Sequence, residues 1–216
     1  MSVSKTIVIS CAGMGTRLGI GSTKALIDID GKPLIIRQLE LLKDFDDIRI
    51  VVGYQMEKVI EVVNSYRKDI LFVFNHDYRN TGTGGSFSRA IKHAAELVVS
   101  LDGDLLVHPD DLMRVLRSDK ECVCGAVPCT EDPMLMKTLT QSGQIYGVGF
   151  SREEGEYEWT GLAQVKTARL TPGDHHVCDM MVPLLPLPME LIRTKEIDTM
   201  ADYEHAVAWV KRGYAD

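Results

Sequence analysis

Residues 6–19 read Thr6-Ile7-Val8-Ile9-Ser10-Cys11-Ala12-Gly13-Met14-Gly15-Thr16-Arg17-Leu18-Gly19. A short run rich in β-branched residues breaks here into a glycine-rich turn, with basic residues at Arg17 and Lys24. Apolar runs of this length commonly form strands buried on both faces, as in parallel sheets. Glycines let backbone N–H groups come close to phosphate oxygens. Arg17 offers a planar fork to such oxygens and Lys24 a point charge. The spacing is neither standard phosphate motif. A Walker loop carries Lys and Ser/Thr directly after its last glycine, and a dinucleotide fingerprint has glycine where Leu18 stands. An ordinary strand-to-helix turn with solvated Arg17 and Lys24 fits the spacing equally well.

Outward from this turn, strands and helices alternate. The apolar piece Leu26 to Ile29 stops at the turn signal Asp30-Gly31. Pro33 then stands at the favoured first position of a helix with an apolar face of Leu34, Ile35, Leu39, Leu41 and Leu42. Strands are expected at 48–52, 71–74, 97–101 and 122–127. Helices are expected at 56–66, from about 86 to 95, and at 109–117. Such alternation over 6–127 implies right-handed crossovers and a mostly parallel, Rossmann-like sheet flanked by helices. Ligands in such sheets sit beyond the carboxyl ends of the strands. Residues 128–170 differ: Gly143, Gly147, Gly149 and Gly155 punctuate short alternating runs, which predicts antiparallel hairpins in a small β-rich insertion. Three prolines within 183–189 exclude regular helix there. Ala201 to Arg212 reads as a final amphipathic helix. No internal repeat or low-complexity linker divides the chain, so residues 1–216 read as one α/β domain.

Bulk composition narrows the functional classes. The chain has 216 residues, 45% of them hydrophobic and 25% charged, which suits a normal globular core. A net charge of −7 disfavours nucleic acid or an anionic membrane as a bulk partner. No apolar run approaches the roughly 18 residues that span a bilayer. Met1 to Lys5 leads straight into a strand-like run without a signal peptide's apolar core, so a cytoplasmic location is expected. The five cysteines form no disulfide framework. Cys122, Cys124 and Cys129 do not have zinc-site spacing and read as buried free thiols.

Four further segments carry candidate chemistry. Asp102-Gly103-Asp104 closes an apolar strand, where two carboxylates can hold a hard divalent cation; an exposed turn is the bland alternative. In Glu196-Ile197-Asp198-Thr199-Met200-Ala201-Asp202, Thr199 and Asp202 have capping-box-like spacing. Asn80-Thr81-Gly82-Thr83-Gly84-Gly85-Ser86 combines glycines with small hydroxyls, which permits backbone readout of a flat heterocycle. In Tyr157-Glu158-Trp159-Thr160-Gly161, Trp159 beside Glu158 suits a cationic head group, although a core role for Trp159 fits as well. His175 and His176 are adjacent, and adjacent residues of an extended chain point to opposite faces.

The run Ala12-Gly13-Met14-Gly15-Thr16-Arg17-Leu18-Gly19, followed by Lys24 and by Gly31-Lys32-Pro33, resembles the signature of the sugar-phosphate nucleotidyltransferase superfamily. The ending Glu196-Ile197-Asp198-Thr199 resembles its choline-phosphate cytidylyltransferase-like branch. The resemblance covers nearly the whole chain and implies the nucleotide-diphospho-sugar transferase fold. It departs at Thr23, where the family usually has proline. It also departs at Tyr78 and Arg79, where some uridylyltransferases carry glutamine. By resemblance, the loop from Ala12 to Thr16 with Gly82, Thr83 and Asp102 binds the nucleotide, and Arg17 and Lys24 grip its phosphates as catalytic residues. Asp104 and Asp198 hold the metal, Mg²⁺. Glu158, Trp159 and Gly161 face the acceptor, with Asp179 beside them. The implied partners are a nucleoside triphosphate and a phosphorylated small acceptor, and the resemblance leaves a homodimer open. The implied role is precursor synthesis for a cell-surface polysaccharide or lipid, with CMP the favoured transferred group. A metal-dependent glycosyltransferase could also use Asp102 and Asp104, but would not need the glycine-rich loop with Arg17 and Lys24.

Overall fold

The computed structural model describes residues 3–15, 18, 19 and 21–215. Eleven strands are described: β1 (Lys5–Cys11), β2 (Ile48–Val52), β3 (Leu71–Phe74), β4 (Leu97–Asp102), β5 (Leu105–Val107), β6 (Cys122–Ala126), β7 (Leu135–Gln141), β8 (Gln144–Ser151), β9 (Tyr157–Lys166), β10 (Leu187–Leu191) and β11 (Thr194–Glu196). The helices are α1 (Leu34–Leu41), α2 (Met56–Tyr66), α3 (Thr83–Ala90), α4 (Pro109–Arg117), α5 (Val177–Met181) and α6 (Met200–Lys211). Short 3₁₀ turns add Lys24–Leu26, Thr167–Arg169 and Val182–Leu184.

β1 lies between β2 and β4, parallel to both, and β3 extends the parallel half beyond β2. Side chains alternate across these strands. Ile7, Ile9, Ile50, Val52, Val99 and Leu101 enter one core, while Val8, Val51 and Val98 enter another with Phe87 of α3 and Val177 of α5. Burial on both faces is why these runs are continuously apolar in sequence.

The expectation of a mostly parallel sheet is corrected beyond β4. β9 runs antiparallel to β4 on one side and to β6 on the other. Beyond it the order continues through β6, β10, β8 and β7, and β7 pairs back onto β9 to close a five-stranded ring. The sheet is therefore mixed. The region 128–170 is not a peripheral insertion either, because its last strand is built into the centre of the main sheet. Smaller differences have local causes. Pro33 takes the cap position rather than the first turn of α1. α3 stops at Ala90, with His93 in the left-handed region at φ 57°. Cys122 and Cys124 are buried, but β6 ends at Ala126 and leaves Cys129 exposed.

A separate two-stranded ribbon pairs β5 with β11, Leu105 lying opposite Glu196. α6 covers this ribbon. Trp209 packs there with Leu18, Ile27, Ile29, Leu34, Leu106 and Ile197. Thr199 and Asp202 form the expected capping box at the start of α6.

Candidate active site

A cleft of about 570 Å³ opens at the carboxyl ends of β1 and β4. Its lining includes Ala12, Gly13 and Gly15 from the turn after β1, Asp102 at the end of β4 and Asp104 from the turn that follows. Gly82 and Thr83 bring the amino end of α3 to one wall, and Glu158, Trp159 and Gly161 of β9 form another. Lys24 and Asp198 close the side nearest the ribbon. Most of the residues singled out from sequence thus share one cavity. Arg17 and Thr16 lie outside the described residues. Met14 and Asp179 are not among the cavity's lining.

Three carboxylates converge beside Lys24. Asp104, Glu196 and Asp198 each offer an oxygen, and these oxygens lie within 4.8 Å of one another. The ribbon assembles them: Asp104 directly precedes β5, Glu196 ends β11, and the Ile197 N–H donates to the Asp104 carbonyl at 3.2 Å. Lys24 Nζ donates to Asp104 Oδ2 at 2.9 Å and also to Asp198 Oδ1. Glu196 was not singled out as a ligand from sequence. The available signal was its spacing of two from Asp198, which puts both side chains on one face of an extended segment.

Electrostatics at this cluster favour cations. Burial, then the charges of Asp104, Asp198 and Asp102, push Glu196 up to about 9, with Lys24 opposing. Burial and Asp104 push Asp102 up to about 7, again against Lys24. Burial alone would lower the Lys24 pKa; the Asp104 charge and the hydrogen bonds to Asp198 and Asp104 overcome it and hold the ammonium protonated. Three hard oxygen donors with excess negative charge fit a divalent cation of the Mg²⁺ class.

The residues expected from sequence at the acceptor end divide. Glu158 is buried, and its carboxylate accepts from the Cys129 and Thr130 N–H groups at 2.8 and 3.4 Å and from the Thr130 hydroxyl. Its oxygens hold the loop after β6. Trp159 stands edge-on to Phe150, ring centroids 5.3 Å apart. Arg152 and Asp132, not singled out from sequence, also face the cleft and form an ion pair at 3.3 Å. Asp179 is exposed, caps α5 by accepting from the His176 N–H at 2.9 Å, and is not among the residues lining the cleft. His176 itself reaches the cavity.

Glycines at two positions answer a steric demand. A Cβ on Gly82 would lie 2.0 Å from the His175 carbonyl oxygen, so the loop before α3 can rest on residues 174–176 only without one. Gly161 has φ +76°, and its Cβ would lie 2.0 Å from Asp102 Oδ2. Gly161→Ala therefore combines a left-handed alanine, costing about 1–2 kcal/mol, with displacement of a short buried carboxylate. The backbone strain alone is expected to lower the thermal midpoint by roughly 2–8 °C in a chain of this size. An unchanged midpoint in a melting experiment would show that this contact is relaxed in solution.

The family of MobA-like NTP transferase domains matches residues 7–201. The bifunctional protein GlmU of Aliarcobacter butzleri is 37% identical over 110 residues, covering 50% of this chain and 25% of that protein. Among such curated relatives the chain spans from 25% to 37% of their length. Two solved structures share the fold: the inositol-1-phosphate CTP transferase from T. maritima, with TM-score 0.74 and 18% identity over 100% of this chain and 99% of that one, and the CTP:phosphocholine cytidylyltransferase from Streptococcus pneumoniae, with TM-score 0.70 and 18% identity over 96% and 100%. With a mixed sheet of the nucleotide-diphospho-sugar transferase type and a family match over most of its length, the chain belongs to the MobA-like NTP transferase domains and, with them, to the nucleotidyltransferases.

Proposed function

We propose that the protein transfers a nucleoside monophosphate, with CMP favoured, from a nucleoside triphosphate to the phosphate of a small acceptor, releasing pyrophosphate. The observation that carries this reading is the single cleft joining the glycine-rich turn, Lys24 and the Asp104–Glu196–Asp198 cluster. In the step, an acceptor phosphate oxygen forms a bond to the α-phosphorus, and the bond from that phosphorus to the bridging oxygen of the β-phosphate breaks. A phosphate monoester has its second pKa near 6 and is largely dianionic at pH 7. It needs no general base, in keeping with a site built from cations and carboxylates rather than a nucleophile–base pair.

Backbone amides near Ala12, Gly13 and Gly15 would hold the nucleotide, and the amino end of α3 at Gly82 and Thr83 would meet its base. Lys24 and Arg17 would stabilise negative charge on the α-phosphate and the departing pyrophosphate. Asp104, Asp198 and Glu196 would hold Mg²⁺, which supplies Lewis-acid stabilisation of phosphoryl oxygens when bound. Trp159, with Arg152 and Asp132, would line the acceptor end. CTP is supported by the Glu196-Ile197-Asp198-Thr199 motif and by the CTP-dependent activities of the two structural neighbours. Suitable acceptors are phosphocholine, a phosphonate, an inositol phosphate or a sugar phosphate, and the product would serve as an activated precursor for a cell-surface polysaccharide or lipid. We place this activity in the cytoplasm. No helix of the described residues is long and apolar enough to cross a membrane.

The test is pyrophosphate release by the purified protein with Mg²⁺, pairing CTP, UTP, GTP, ATP and dTTP with these acceptors. Turnover with one pair, fastest for CTP and abolished by EDTA, is the expected result. Release that persists in EDTA would remove the metal from the reading, and preference for another nucleotide would remove CMP.

A further inference from the structure

The ribbon that assembles the carboxylates is not part of the main sheet. Its β5 side continues from β4 through a turn anchored by the Gly103 N–H on the Ser10 carbonyl at 3.0 Å. Its β11 side arrives from β10 across a short connection. Two strands of three residues are marginal on their own, and a slip of one residue would turn Glu196 to the opposite face. Something must hold β11 in register.

The amino end of α4 does so. The His108 N–H donates to the Arg193 carbonyl at 2.9 Å, extending the ladder one step beyond β11. Asp111, 5% exposed, accepts on Oδ2 from the Arg193 N–H and Nε, both at 2.9 Å. Its Oδ1 accepts from Arg193 Nη2 at 3.2 Å and from Arg114 Nη1 at 2.7 Å. Arg114 Nη2 reaches the Leu191 carbonyl at 2.6 Å. One buried carboxylate thus binds backbone and side chain at the head of β11, three residues before Glu196.

We infer that Asp111 is a positioning residue for the metal cluster: by clamping Arg193 it sets where Glu196 and Asp198 stand opposite Asp104. This rests on the reading of those three carboxylates as a divalent-cation site. Groups behind direct ligands typically change metal affinity 10- to 100-fold when altered.

The experiment titrates Mn²⁺ alone into the full-length protein by calorimetry, well below its melting temperature. Asp111→Asn is expected to bind Mn²⁺ roughly 10-fold more weakly than the wild type. Arg193→Ala, which keeps the backbone contact to Asp111, is expected to fold readily and to weaken binding in the same direction. Asp47→Asn is the control. Asp47 pairs with Arg49 at 2.9 Å just before β2, at the end of the sheet away from the cleft, so its loss is expected to lower the melting temperature without moving Mn²⁺ affinity. Wild-type affinity in both Asp111→Asn and Arg193→Ala would overturn the proposal, as would equal weakening in Asp47→Asn. A wild type that binds no Mn²⁺ would overturn it together with the metal site. Mn²⁺ binding without pyrophosphate release would sink the transfer reaction and leave the positioning role standing.

Discussion

An Asp104→Ala protein is expected to release pyrophosphate on the order of 10²-fold or more slowly than the wild type, the usual size for losing one preorganised electrostatic contact. Asp104 joins Lys24, the carboxylate cluster and the ribbon. It is one of three carboxylates whose oxygens lie within 4.8 Å, it holds Lys24 at 2.9 Å, and its backbone carbonyl receives Ile197. The substitution leaves that backbone contact in place, so the ribbon is expected to survive. It also removes a negative charge that helps push Glu196 up to about 9, after burial. Taking one carboxylate from a crowded cluster relieves repulsion. The same carboxylate is the largest charge holding the buried Lys24 ammonium, so the two effects oppose one another and the metal-free variant is expected to melt close to the wild type while losing activity. Steady-state kinetics and a thermal scan on one preparation separate the two quantities. A near-wild-type rate would remove Asp104 from the machinery.

Trp209→Ala is expected to cost about 3–5 kcal/mol, the range for removing a large buried aromatic. Trp209 is 1% exposed and fills the space between α6, the ribbon and the segment leading to α1. Tyr214 stands edge-on to it at 5.0 Å and the His108 ring lies at 6.1 Å, so the void would be lined by rings that cannot easily collapse into it. Against a total stability of roughly 5–15 kcal/mol, this loss would lower the melting temperature by roughly 6–20 °C. The indole N–H is buried without a partner, so Trp209→Phe discards a donor that gains nothing and keeps most of the apolar volume. A loss below about 1.5 kcal/mol is expected for it. Urea unfolding of both variants checks this, and a Trp209→Ala loss under 1 kcal/mol would show that α6 is not held by this contact. Because Ile197 packs in the same cluster beside Asp198, loosening here is also expected to raise the Mg²⁺ concentration needed for activity.

Local patterning made much of the frame legible. β2, β3, α2 and α4 lie where their apolar runs end, because each run is bounded by polar or turn residues. The position of β9 was not legible. Its sequence alternates as any half-buried strand would, and the side of β4 on which it inserts is decided by long-range pairing. β5 and β11 are three residues each, too short for a periodicity to declare itself. The meeting of Lys24, Asp104 and Asp198 in one cleft was legible because each stands in a recognisable motif. Glu196 was quoted within such a motif, yet an acidic residue just before a helix reads as a solvated group until its strand partner is known. Asp179 stands outside the cleft lining for a local reason: its spacing of three from His176 is that of a helix cap.

The most direct measurement is ³¹P NMR of the product formed from CTP, Mg²⁺ and the acceptor that supports turnover. The account predicts a new pair of coupled diphosphate signals, joining the nucleotide's α-phosphorus to the acceptor's phosphorus, with pyrophosphate released in equal amount. Failure to form that linkage with any triphosphate, together with release of a nucleoside diphosphate when a nucleotide sugar is supplied, would contradict it and identify a glycosyltransferase.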